Sequence, residues 1–317
     1  MSKLEIIKEA AAELANGGLV AFPTETVYGL GADACNATAI SKLYALKGRP
    51  ADHPSIVHLA DLEELPQWVD VDYIPNITYK LARHFWPGPM TLILPKRPEV
   101  LDQVTGGQNS VGIRIPAHPL TRQLIRTFGH GIVGPSANKF GHISPTCAED
   151  VRNEFPNELK YILDGGPCSV GVESTIIDLA HSKVVILRPG MLNAELISNF
   201  LQFHVNFGTG VKAPGTLKKH YAPHTRSQIF TRENLPAIFD VISSAVILGF
   251  SREFELPSQN FKWITMPEEA ESYARSLYSA LRYADTMNVA RILIEKVPES
   301  IEWEAVRDRL SRATATL

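Results

Sequence analysis

Leu4, Ile7, Ala11 and Leu14 recur at helical spacing, and Gly17-Gly18 supply a stop, so the chain opens on a helix. The apolar block Leu19-Val20-Ala21-Phe22 then reads as a short strand that runs into the polar loop Pro23-Thr24-Glu25-Thr26. The alternation continues. Ile40, Leu43 and Tyr44 mark a helix ending near Lys47-Gly48-Arg49-Pro50, and Ser55 to Ala60 reads as a strand. Leu81, Phe85 and Trp86 mark a helix broken by Pro87-Gly88-Pro89, ahead of strands at Met90–Leu94 and Val111–Ile115. Leu120, Leu124, Ile125 and Phe128 form one helical face closed by Gly129. Strands mixed with helices of 10–12 residues predict an α/β domain. Tyr161–Leu163, Thr175–Leu179 and Val184–Leu187 follow one another too closely for helical crossovers, so part of the sheet is expected to be antiparallel. Residues 207–226 lose the periodicity and carry Gly208, Gly210, Pro214, Gly215 and Pro223 beside Lys212, Lys218, Lys219, His220 and Tyr221, a basic and aromatic linker. The pattern resumes with a strand at Ala245–Phe250, a helix through Ala274, Leu277, Leu281 and Tyr283, a strand at Ile292–Ile294 and a terminal helix through Trp303, Val306 and Leu310.

At 317 residues the chain has room for about two domains. Its 44% hydrophobic and 21% charged residues exclude a disordered or fibrous chain. With Lys+Arg 31 against Asp+Glu 34, no global basic excess is present to hold nucleic acid. Three scattered cysteines (Cys35, Cys147, Cys168) argue against a disulfide scaffold and for a reducing compartment. MSKLEIIKEAAAEL carries charges throughout and no signal-peptide apolar core, and no apolar run approaches a membrane span, so a cytoplasmic location is expected.

No GxGxxG, GxxxxGK[ST] or HExxH occurs. The His53/His58 and His220/His224 pairs are each interrupted by proline, which disfavours a helical zinc pair. Gly134-Pro135-Ser136-Ala137-Asn138 suggests a nucleophile elbow but has Asn138 where the elbow needs glycine. Ser136 and Asn138 equally suit a turn closed by side-chain hydrogen bonds. The polar loops make most sense together. Thr24, Glu25 and Thr26 follow one strand, Lys47 and Arg49 end a helix, Arg114 lies in an apolar strand, Ser174 precedes a strand and Arg188 ends one. Ligands of open α/β sheets collect beyond strand ends, and this set would suit phosphates plus a carboxylate. Lys47 and Arg49 could instead be ordinary helix C-terminal cations. Arg114, if buried, requires a partner.

Pro23-Thr24-Glu25-Thr26-Val27-Tyr28-Gly29-Leu30, Lys47-Gly48-Arg49-Pro50, Trp86-Pro87-Gly88-Pro89-Met90-Thr91, Gly134–Asn138 and Glu173-Ser174-Thr175-Ile176 occur in that order. Together they resemble the YrdC-type domain of the L-threonylcarbamoyladenylate synthases over about residues 1–205. Lys218-Lys219-His220-Tyr221-Ala222-Pro223 and the region after it resemble the long, two-domain form of that family. The resemblance implies a YrdC-like twisted mixed sheet flanked by helices (1–205), a linker or lid (206–226) and a smaller Rossmann-like α/β domain (227–317).

It further implies a nucleotidyltransferase that joins L-threonine, bicarbonate or CO2 and ATP, with Mg²⁺ as divalent metal, into threonylcarbamoyl-AMP and pyrophosphate. A downstream transferase would pass the group to tRNA, and a weak tRNA contact is conceivable. By carry-over, Thr26, His58, Arg114, Gly134 and Ser174 fall on threonine-binding positions. Arg49, His53, Ser110, Ser136, Ser144, Arg188 and Tyr221 fall on ATP-binding positions, and Lys47, Arg49 and Asn138 are the catalytic candidates around the phosphates. No metal ligands can be named. A carbamoyl-transfer domain of the hydrogenase-maturation type and a non-catalytic RNA-binding module are the alternatives.

Overall fold

The first helix, Lys3–Ala15, starts at a capping box in which Ser2 Oγ accepts from the Glu5 amide (3.2 Å) and Glu5 Oε2 from the Ser2 amide (2.6 Å). It buries Ile7, Ala10, Ala11 and Leu14, while Leu4 lies outside that stripe in solvent. The structure, a computed structural model, describes residues 2–181, 183–208, 212–215, 220–251 and 255–315. Lys218, Lys219 and Gly210 of the linker lie outside the described residues. Among the described residues no helix is long and apolar enough to cross a membrane.

Ten strands form the first sheet: β1 (Val20–Phe22), β2 (Gly29–Asp33), β3 (Ile56–His58), β4 (Met90–Pro95), β5 (Ser110–Arg114), β6 (Ile132–Val133), β7 (Tyr161–Ile162), β8 (Thr175–Asp178), β9 (Val185–Arg188) and β10 (Asn206–Phe207). Their order is β10-β9-β8-β4-β5-β3-β6-β2-β1-β7, with β3–β5, β4–β8, β1–β7 and β9–β10 parallel and the remaining pairs antiparallel. The mixed sheet follows the expectation, and β8 and β9 form the antiparallel pair. Tyr161–Ile162 does not join them. It pairs parallel with β1 at the opposite edge, because the intervening chain crosses the whole sheet. The first sheet also reaches past residue 205, since Asn206–Phe207 adds an edge strand beside β9.

One face of this sheet packs Phe22 and Ile132 against helices Lys3–Ala15 and Pro119–Phe128. The other packs Leu30, Val57, Leu92 and Ile113 against helices that include Ala37–Lys47 and Ala194–Leu201. Successive strand residues point to opposite faces. Ile56 and His58 therefore share a face with each other, and register pairs His58 with Arg114 on the neighbouring strand.

The second sheet is wholly parallel, β11 (Ser227–Phe230), β12 (Ala245–Gly249), β13 (Phe261–Thr265) and β14 (Arg291–Glu295) in the order β11-β14-β12-β13. Helices Ala270–Thr286 and Glu304–Ala313 cover it, and Tyr278, Leu277 and Leu310 share one apolar cluster with Val27, Ile143 and Val172 of the first domain. The two domains thus meet beside the loop that follows β1.

Candidate active site

Thr24 shapes the loop after β1. Its hydroxyl donates to the Val27 carbonyl (2.6 Å) and accepts from the Thr26 and Val27 amides (3.1 and 3.2 Å), a side-chain turn that aims Glu25 and Thr26 inward. Arg114, at the end of β5 and 4% exposed, meets both. Its Nη2 lies 2.7 Å from Glu25 Oε1, its Nη1 donates to Thr26 Oγ1 (2.8 Å) and its Nε to the Gly88 carbonyl (3.2 Å). The other Glu25 oxygen accepts from the Ala117 amide (3.0 Å). The strand arginine has the partner its burial required, and that partner is Glu25, to which sequence reasoning gave no role.

His58 stands next to Arg114 and edge-on to Phe22, ring centroids 5.5 Å apart. Burial, then the Arg114 charge, takes its pKa from 6.5 down to about 3, so it is neutral, and its Nδ1 has no hydrogen-bond partner. Gly134 must lack a side chain: a Cβ there would sit 2.6 Å from Phe22 Cζ and 2.8 Å from His58 Nδ1. Ser174 Oγ meets Thr91 Oγ1 at 2.8 Å and accepts from Arg188 Nη2 at 3.1 Å.

The cations differ in what they hold. Arg188 Nε and Nη2 donate to the Ser174 carbonyl (3.1 and 2.9 Å), and its Nη1 donates to the carbonyl of Pro214 (2.9 Å). Arg49 donates to the Pro54 carbonyl (2.6 Å), and its Nε has no hydrogen-bond partner. Burial lowers the pKa of both. Lys47, driven well below the usual lysine value by burial and then by Arg49, donates to the carbonyls of Ser136 and Asn138. It pins the 134–138 turn from behind.

One cavity collects these groups. Thr26, His58, Arg114, Gly134 and Ser174 line it, and so do Arg49, Ser136, Arg188 and Tyr221. The other candidates lie elsewhere. Asn138 donates to the Lys139 and His142 carbonyls, and Lys47 lies behind it. Ser144 donates to Glu173 Oε1 (2.6 Å), one contact removed from the cavity. His53 packs its ring edge against Phe140. Ser110 begins β5, four residues from Arg114, about 13 Å along an extended strand. The floor is a sheet face (Ile56, His58, Arg114, Gly134) rather than a common carboxyl edge, because β6 runs against β3 and β5 runs with it.

Tyr221 closes the roof. It is 1% exposed, takes a left-handed backbone (φ 60°), and its hydroxyl has no hydrogen-bond partner. Burial and then the Glu173 charge push its pKa up to about 12. Glu173, which sequence reasoning passed over inside its own motif, accepts from Ser144, Tyr278 (2.9 Å) and Arg309 (2.7 Å). Burial raises its pKa, but Arg309 and Arg188 outweigh it, and the net value is about 2. Pro214, Gly215, His220 and Tyr221, a strap over the cavity, leave a partly open space of about 50 Å³, roughly a third of the ~150 Å³ that takes a benzene-sized guest. That space is smaller than a nucleotide.

Residues 12–190 match the model of the Sua5, YciO and YrdC family described as telomere recombination, and residues 190–315 match that of the threonylcarbamoyl-AMP synthase C-terminal domain. The threonylcarbamoyl-AMP synthase of Pyrococcus abyssi is 39% identical over 324 residues, spanning 97% of this chain and 94% of the relative. That of Bacillus subtilis is 38% identical over 331 residues, spanning 97% and 92%. The crystal structure of P. abyssi Sua5 complexed with L-threonine has a TM-score of 0.90 at 37% identity, covering 99% of this chain and 95% of that one. The chain belongs to the Sua5, YciO and YrdC family in its long, two-domain form.

Proposed function

We propose that this family member is a threonylcarbamoyl-AMP synthase: it condenses L-threonine, bicarbonate or CO2 and ATP into threonylcarbamoyl-AMP and pyrophosphate, in the service of tRNA modification. The observation that carries the reading is the convergence, in one cavity, of three buried arginines, Arg114 on the Thr26 hydroxyl, Arg188 on the Ser174 hydroxyl, and Arg49, which would suit a carboxylate and phosphates. An RNA-binding module would turn its cations outward. Here they are 3–9% exposed.

The chemistry asks for positioning more than for a nucleophile. The threonine amine attacks the carbon of bicarbonate and water leaves, giving a carbamate. A carbamate oxygen then attacks the α-phosphorus of ATP, and the bond to the bridging oxygen breaks to release pyrophosphate. That transfer of an adenylyl group is the finer, nucleotidyltransferase assignment. Glu25 and the Gly88 carbonyl hold Arg114 in the cavity wall, and its Nη1, on the neutral Thr26 hydroxyl, is the donor that a substrate carboxylate would take over. Neutral His58, with Nδ1 free, can accept from the substrate hydroxyl or amine. Arg49 and Arg188 offer the charge that steadies the phosphates in the transition state. Lys47 and Asn138 act through the 134–138 turn that they tie together. His53, Ser110 and Ser144 would serve the nucleotide only through intermediate groups.

Among the described residues no group of three His, Cys, Asp or Glu forms a metal cage, and the cleft carboxylates Glu25 and Glu173 are committed to Arg114 and Arg309. The donor set does not fit a resident metal. Mg²⁺ is read instead as arriving on the ATP phosphates, where it commonly keeps most of its water ligands. The Pro214 carbonyl on Arg188 is a neutral acceptor that a phosphate oxygen can replace, and Tyr221 then remains as the wall over the nucleotide. Exclusion of water there protects a mixed anhydride that hydrolyses readily. The product would pass to a threonylcarbamoyl transferase acting on tRNA in the cytoplasm.

The test is direct. Full-length protein with MgATP, bicarbonate and L-threonine should release pyrophosphate and form an acid-labile threonylated AMP. Hydrolysis to ADP and phosphate at a rate that ignores threonine would refute the reading.

A further inference from the structure

Helix Glu304–Ala313 belongs to the second domain, yet one of its arginines is, among the described residues, the largest fully buried side chain and lies behind the roof of the cavity. Arg309 is 0% exposed. Its Nε donates to Glu173 Oε2 (2.7 Å), its Nη2 to the Glu173 carbonyl (3.3 Å) and its Nη1 to the Pro189 carbonyl (2.9 Å) and to Asp308 Oδ2 (2.7 Å). Its guanidinium carbon stands 5.3 Å from the centre of the Tyr221 ring. The same helix accepts the His220 amide on the Arg312 carbonyl (3.5 Å). From helix Ala270–Thr286, Tyr278 faces the Tyr221 ring at 5.8 Å and donates its hydroxyl to Glu173. The seat of Tyr221 is therefore built mainly by the C-terminal domain, on a carboxylate of the catalytic one.

We propose that Arg309 is a positioning residue for ATP: it anchors on Glu173 and Pro189, holds its guanidinium over the Tyr221 ring, and so makes nucleotide binding depend on the docked C-terminal domain. Arg309 reaches no solvent and no cavity surface, so it acts only through Tyr221 and Glu173. A desolvated guanidinium facing an aromatic ring is among the stronger contacts of its kind. Arginine suits the place because its five-donor fork can bond two carbonyls and two carboxylates while the cation stays over a ring, which the three donors of a lysine ammonium cannot do. The inference rests on the synthase reading above, in which Tyr221 borders the nucleotide.

The experiment uses the full chain and measures pyrophosphate release with ATP and L-threonine varied separately. Arg309→Met should raise the ATP KM about tenfold while the L-threonine KM stays within about twofold. It should also speed chymotryptic cleavage after Tyr221. A cycle with Tyr221→Leu separates positioning from plain structural support. In the Tyr221→Leu background Arg309→Met should leave the ATP KM nearly where Tyr221→Leu alone puts it. If Arg309→Met instead adds its full effect in that background, or shifts ATP and threonine alike, the proposal is overturned. Should Arg309→Met not fold, Arg309→Lys, which keeps a charge for Glu173, takes its place in the cycle. The same non-additivity then supports the proposal, and an unchanged ATP KM overturns it. Wild-type protein that releases no threonine-dependent pyrophosphate would instead refute the synthase reading, and the cleavage assay would still report on the seat.

Discussion

Arg114→Ala tests the centre of the site, and its consequences for folding and for binding can be separated. The substitution removes a 2.7 Å ion pair to Glu25, a 2.8 Å bond to Thr26 and a 3.2 Å bond to the Gly88 carbonyl from a position 4% exposed. Glu25, itself 8% exposed, keeps only the Ala117 amide. Breaking a buried pair by deleting one partner costs about 3–5 kcal/mol, which lowers the melting temperature by roughly 10 °C. Loss of the carboxylate contact should weaken L-threonine by about 30-fold or more. A weaker protein could bind less for structural reasons alone, so the informative variant is Arg114→Ala with Glu25→Gln. Neutralising Glu25 removes the buried unpaired charge and should recover much of the lost stability, but it supplies no cation for the substrate. Calorimetric titration of that double variant with L-threonine is the decisive assay. A threonine affinity within threefold of the parent, in a protein whose melting temperature has recovered, would refute the role of Arg114.

Acid should destabilise the fold through His58 and His220, both neutral because burial takes them from 6.5 down to about 3. With the folded value below the unfolded one, their stabilisation is complete above pH 6.5 and is lost as pH falls toward 3, each adding a slope of about 1.4 kcal/mol per pH unit. Urea midpoints that stay flat between pH 7 and 5 would contradict this. Gly134→Ala puts a Cβ 2.6 Å from Phe22 and 2.8 Å from His58, and should raise the threonine KM about tenfold. Kinetics indistinguishable from wild type would show that His58 has room to move. Among amino-acid substrates, serine lacks only a methyl and should be slower by about 1–3 kcal/mol, whereas valine, lacking the hydroxyl that Thr26, His58 and Ser174 can bond, should be rejected far more strongly. Competition experiments in which valine matches serine would argue against a polar pocket.

What the sequence made legible follows from how local each signal is. Phe22, Ile40, Leu92 and Leu124 announce their elements because burial leaves a period-two or period-3.6 trace. Strand β2 (Gly29–Asp33) left no such trace. Gly29 and Gly31 are required by the Phe22 ring, which a Cβ would approach to 2.5 and 3.0 Å, so the packing itself erased the β-branched signature. The edge strands β11 and β13 were also unread, being half polar, as strands with one partner can be. At the site, an arginine in an apolar strand said that a partner existed. It could not say that the partner was Glu25, 89 positions away on a loop set by the Thr24 turn. Arg309 is the extreme case. In a helix with charges on most of its turns it reads as surface, and only docking of the two domains buries it.

That docking gives the two described parts of the strap different work. Pro214 touches Arg188 through one carbonyl, a neutral acceptor against which a phosphate oxygen forms the stronger, charge-assisted bond. The exchange would favour the phosphate, so this end is suited to yield to ATP. Residues 220–222 are held otherwise: the Ala222 amide bonds the Gly141 carbonyl (3.0 Å), the His220 amide the Arg312 carbonyl (3.5 Å), and Tyr221 lies over Arg309. Arg309, the cation among those contacts, is already neutralised by Glu173 and Asp308 and offers an incoming phosphate no free charge. The residues proposed for threonine, by contrast, come from β3, β5 and the loops after β1 and β6 and before β8, none of them in the strap. Under the synthase reading, one end of the strap would therefore exchange with ATP while the other stays seated, so that the cleft would admit a nucleotide without giving up the wall over its product.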